Sequence, residues 1–90
     1  MSKTVFKYKV LPSTEFEIQM PRHAEILTVQ VQNEEVFMWA RVDTEEDCVY
    51  RRFGVFGTGH DMPDKALVEP KYIGTFQLCG GSIVFHLFEF

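Results

Sequence analysis

Near the end of the chain, Gly80-Gly81 stands between two runs of β-forming residues, 72–79 and 82–90. A two-residue Gly-Gly loop suits a primed turn, because both central residues can take positive φ without a Cβ clash. The spacing predicts a hairpin in which Cys79 faces Ser82, Leu78 faces Ile83, Phe76 faces Phe85 and Gly74 faces Leu87, since directly opposed residues share a face. One side is then almost wholly apolar. The other mixes Gln77, Thr75 and His86 with Val84, Ile73 and Phe88.

The rest of the chain carries the same period of two. Phe6, Tyr8 and Val10 alternate with Lys7 and Lys9, and Phe16, Ile18 and Met20 alternate with Glu15, Glu17 and Gln19. The acidic second run complements the basic first, which predicts a first hairpin between them. Leu27, Val29 and Val31 alternate with Thr28, Gln30 and Gln32, and Asn33-Glu34 is a tight-turn candidate. The following run, 36–42, is apolar on both faces, as a central strand or one meeting a partner would be. A fifth strand, 49–56, places Phe53 and Val55 on one face and Tyr50, Arg52, Gly54 and Phe56 on the other; Gly54 marks a bulge or a close backbone approach. In the irregular stretch 57–70, Asp61 as cap and Pro63 near a first helical position predict one helical turn. Short strands with polar turns predict a single all-β domain over residues 1–90. Its architecture is a small antiparallel sandwich or partly closed barrel of about seven strands.

Ninety residues give one core and little room for a deep catalytic cleft, so a binding or assembly role leads. The net charge of −4 argues against direct DNA binding, which needs a cationic footprint to release counterions. Lys3, Lys7 and Lys9, and Arg51-Arg52, read as solvated faces and protected edges. Cys48 and Cys79, with no apolar leader ahead of them, read as reduced thiols in the cytoplasm; no apolar run is long enough to span a bilayer.

Gly57-Thr58-Gly59-His60 is the main polar candidate for ligand binding. Exposed N–H groups in a glycine-dense loop can hold an anion, although the Lys-Ser/Thr ending of a Walker loop is missing and a plain turn is the favoured alternative. His23, His60, His86, Cys48 and Cys79 lack the spacing of a zinc site, so neither metal nor cofactor is expected. Ser82 and Cys79 have no local base, so no catalytic residue is assigned. Thr75 opposite His86 reads as a cross-strand hydrogen bond. The strongest functional signal is excess apolar surface: Phe37, Trp39, Ile73, Val84, Phe88 and Phe90 fall on second faces, where another sheet, a partner or a second copy must cover them.

The runs Ala24 to Gln32, Phe37 to Asp43, Phe56-Gly57-Thr58-Gly59-His60 and Tyr72-Ile73-Gly74-Thr75-Phe76-Gln77 through Glu89 resemble a family of short uncharacterised phage, prophage and bacterial proteins. The resemblance implies a small phage-type accessory protein working in a bacterial host cytoplasm, with no catalytic residues to carry over. The expected function is non-enzymatic binding of a host protein or a small nucleotide-like ligand, in the setting of counter-defence. A self-assembling virion component, hence a homo-oligomer, and a small enzyme acting on a phosphorylated ligand are the alternatives.

Overall fold

A computed structural model describes residues 2–63 and 69–90. Its strands are β1 (Lys3–Lys9), β2 (Phe16–Pro21), β3 (Glu25–Gln32), β4 (Glu35–Asp43), β5 (Cys48–Gly57), β6 (Lys71–Leu78) and β7 (Ile83–Glu89). They form two antiparallel sheets, β1-β4-β3 and β2-β5-β7-β6, packed as an open sandwich. The helical turn expected after Asp61 falls largely on residues 64–68, outside the described residues.

The terminal hairpin has the predicted register: Leu78 opposite Ile83, Phe76 opposite Phe85, Thr75 opposite His86 and Gly74 opposite Leu87. Its loop is a primed turn, with Gly80 at φ 67° and ψ 21° and Gly81 at φ 94°. The Ser82 N–H donates to the Cys79 carbonyl at 3.3 Å and closes it. Cys79 also takes positive φ, 52°, just before the turn. The β3–β4 turn is of the same type, because Asn33 and Glu34 have φ of 52° and 64°.

Four expectations change. The first hairpin does not form: β1 pairs with β4 and β2 with β5, so the β1 lysines meet residues of the β3–β4 ribbon. Lys9 donates to Glu35 at 2.5 Å, and Lys7 donates to Gln32 at 3.1 Å while standing over the Phe37 ring. In β3 a bulge makes Leu27 the extra residue, so Ile26 turns inward and Leu27 is exposed. A second bulge at Ile73 turns that side chain to the core from the mixed face assigned to it. Arg51, expected to be solvated, points between the sheets. Its Nε and Nη2 donate to Glu89 at 2.6 and 2.8 Å and its Nη1 donates to the Ala24 carbonyl.

The core lies between the sheets, where Phe53, Met20, Met38, Leu87 and Val42 are fully enclosed. Each such side chain contributes about 1.5–3 kcal/mol through loss of apolar surface to water. Two glycines permit close approaches, one between the layers and one on the outer face. A Cβ on Gly74 would stand 2.6 Å from Val29 Cγ1, so its absence lets β6 close on β3. A Cβ on Gly54 would stand 2.5 Å from the Thr14 carbonyl, the close backbone approach its position in the strand suggested.

Candidate functional site

Pairing β5 with β7 and β7 with β6 lays three rows of side chains across the outer face of the four-stranded sheet. Gly54, Phe88 and Tyr72 form one row, Phe56, His86 and Thr75 the next, and Val84 and Gln77 a third. The Phe56 ring lies over Gly54, where a Cβ would stand 2.9 Å from its Cε2, and Phe88 is the cross-strand neighbour of that glycine. The Phe88 ring packs edge-on to Phe56 at 6.2 Å between centroids and tilted against Tyr72 at 5.6 Å. Phe90 meets Phe56 edge-on at 6.0 Å. Phe56 is buried within this cluster, Phe88 and Phe90 are half-buried, and Tyr72 is exposed.

A chain of polar contacts runs through the same face. Tyr72 Oη lies 2.7 Å from Thr75 Oγ1, Thr75 Oγ1 2.9 Å from His86 Nδ1, and His86 Nε2 2.7 Å from Thr58 Oγ1. A neutral imidazole donates at one nitrogen and accepts at the other, so the chain has a direction, and reversing it exchanges donor and acceptor at its ends. In these contacts both partners of the imidazole are threonine hydroxyls.

The chain also explains how the loop at 57–60 is held. The Thr58 N–H donates to the Val84 carbonyl at 3.2 Å, and the His60 N–H donates to the Gly57 carbonyl at 3.0 Å. Gly59 supplies the positive φ, 83°, at the third position of that turn. Gly57 leaves room for the His60 ring, since a Cβ there would lie 2.7 Å from its Nδ1. Thr58 therefore belongs to the sheet face, whereas His60 looks toward Pro12, Thr14 and Asp61 around a hollow of about 170 Å³.

Next to the aromatic cluster is a hollow of about 260 Å³ lined by Thr14, Glu15, Arg52, Phe53, Phe56, Asp61, Pro63 and Phe90. Arg52 is exposed there, with Glu15 at 3.7 Å, a contact weak enough to leave the guanidinium open to a ligand anion.

The structure divides the predicted residues into three groups, of which His60, beside the hollow at Pro12 and Thr14, is one. Val84, Phe88, Phe90 and Thr58 share the outer face of the four-stranded sheet. Phe37 and Trp39 stack edge-on at 6.3 Å on the outer face of the other sheet, on the far side of the sandwich. Arg52, Phe56 and Tyr72 join the group of Phe88 although sequence reasoning did not select them. Alternation along β5 had put Arg52 and Phe56 on one face, but only the β5–β7 pairing shows that this is also the face of His86 and Phe88. Among the described residues no cluster of three or more His, Cys, Asp or Glu could hold a metal ion, and Cys48 and Cys79 are free and exposed. No helix among them is long and apolar enough to cross a membrane.

Fold and site together define a small two-layer β-sandwich with one aromatic and hydroxyl-lined sheet face. The chain belongs to the family described as a domain of unknown function, DUF7352, whose model matches residues 1–90. No curated protein and no solved structure matches it.

Proposed function

We propose that this chain is a non-enzymatic binding module that takes a small nucleotide-like ligand on the outer face of its four-stranded sheet. The observation that carries this reading is the contact chain Tyr72–Thr75–His86–Thr58, which joins the glycine loop to the aromatic cluster in one surface. Such a face offers a planar base what it needs: an aromatic ring to stack on and donors and acceptors for its edge. Arg52 beside Phe90 supplies a cation for a phosphate, which suits a protein of net negative charge to a mononucleotide better than to a nucleic-acid backbone. In a phage-type accessory protein working inside a bacterial host, a ligand of this class would be a host signal whose capture blunts a defence response.

Calorimetric titration with linear and cyclic nucleotides tests the proposal. Wild-type protein is expected to bind at least one of them. Phe88→Ala should weaken binding roughly tenfold, in line with about 1–3 kcal/mol for stacking one base. Arg52→Ala should weaken only ligands that carry phosphate. If no nucleotide binds, or if both variants bind as wild type does while remaining folded, the reading is wrong.

A further inference from the structure

One side of the sandwich is shut and the other is open. At the shut side β3 lies against β6 through the contact of Val29 with Gly74. Among the described residues the remaining two edges, β1 of one sheet and β2 of the other, each pair on one flank only and present an unpaired row of backbone donors and acceptors on the other. Such edges are templates for another strand unless they are blocked.

The side chains on these two edges are opposite in kind. β1 carries Lys3, Lys7 and Lys9 on its outer face and no acidic residue. The β2 edge carries Glu15 and Glu17 on its outer face and no basic residue. Their inner faces are both apolar: Phe6 on β1 is 41% exposed, overhanging the core, and β2 places Phe16 and Ile18 on its inner side. Val5 adds a further exposed apolar side chain at the same edge, 50% accessible.

From this arrangement we infer that β1 of one molecule pairs with β2 of a second copy, and that a two-fold axis repeats the seam to close a dimer. The charge pattern selects this pairing over the two symmetric ones. β1 against β1 sets lysine against lysine, and β2 against β2 sets glutamate against glutamate, both unfavourable across a ladder. β1 against β2 brings lysine to glutamate on the outer faces and Phe6 to the apolar inner side of the partner copy's β2. Because both edges lie on the same open side, two copies satisfy both seams at once, so the contact closes instead of growing into a fibre. Each three-stranded sheet then continues into the partner copy's four-stranded sheet. The inference does not need the ligand-binding reading, since neither edge contributes Phe88, His86 or Tyr72; the two share only Glu15, which lines the hollow beside Arg52.

Sedimentation equilibrium of the purified chain and of two charge variants tests it. Lys3→Glu/Lys7→Glu makes both edges acidic, and Glu17→Lys/Gln19→Lys makes both basic. Wild type is expected to be a dimer, each variant alone should dissociate roughly tenfold more readily because every altered pair occurs twice, and an equimolar mixture of the two variants should dimerise again. A wild-type monomer, a larger open assembly, or variants that dimerise as wild type would each overturn the inference, as would a mixture that stays monomeric. Should a variant not fold, hydrogen exchange on wild type serves in its place. Outer-flank amides of β1 and β2 should become protected as concentration rises, and exchange independent of concentration would overturn the inference.

Discussion

Tyr8 stands on the inner face of β1, half-buried, packed against the core near Cys48 and Arg51. Burial holds its phenol above the ordinary value of 10.0; Cys48 adds to the rise and Arg51 opposes it. A raised folded-state value means that the neutral phenol is the form the fold prefers. Its contribution is fully present below pH 10 and is lost as pH rises through the folded value. Stability measured by urea denaturation should therefore fall above pH 10 in wild type and fall less steeply in Tyr8→Phe; identical slopes would dismiss the effect. At this scale the sequence was legible wherever a contact is local. Thr75 opposite His86 follows from counting outward from Gly80-Gly81, and the pair forms. The bond from Thr58 to His86 spans the crossover from β5 to β7 and has no counterpart in any local pattern. Arg51 shows the same limit in reverse: beside Arg52 it reads as one half of a basic surface pair, yet alternation sends the two side chains to opposite faces of β5, one of them inward.

At the level of elements, the turns and the strand periods were the most readable features, because both are set by φ/ψ preferences and by alternation within a few residues. Asn33-Glu34 illustrates how far a weak signal reaches. The turn needs positive φ at both residues, and Glu34 adopts 64° although a Cβ disfavours it. Glu34→Gly should raise stability by about 0.5–1 kcal/mol in equilibrium unfolding by converting the turn to the favoured Asn-Gly pair; an unchanged or lower midpoint would show that the strain is not there. What alternation missed were the two bulges. Each inserts one residue and so reverses the facing of everything on one side of it, which is why Ile26 replaces Leu27 and why Ile73 joins the core. A bulge depends on fitting one strand to its neighbour across the sheet, and no single strand carries that information.

Across the whole molecule, the Arg51–Glu89 pair ties the end of β7 to the middle of β5, and its bond to the Ala24 carbonyl reaches the segment just before β3. Side-chain exposure of 20% and 16% leaves both charges largely out of water, so removing one partner strands the other. Arg51→Met is expected to cost roughly 2 kcal/mol in urea unfolding, and Arg51→Met/Glu89→Leu to recover most of it; equal losses in the single and double variants would refute that account. The sequence by itself determined the all-β class, the terminal hairpin with its register, the β3–β4 turn and the alternation that divides core from surface, all consequences of steric preference and burial over short distances. Tertiary structure alone decided that β1 joins β4, that Phe37 and Trp39 lie on the face opposite Phe88, and that Thr58, His86, Phe56 and Arg52 share one surface. Complementary charges made a β1–β2 hairpin reasonable. Exposed ion pairs contribute only fractions of a kcal/mol, whereas enclosing Phe53, Met38 and Leu87 between two sheets contributes several, so the core chose the strand order.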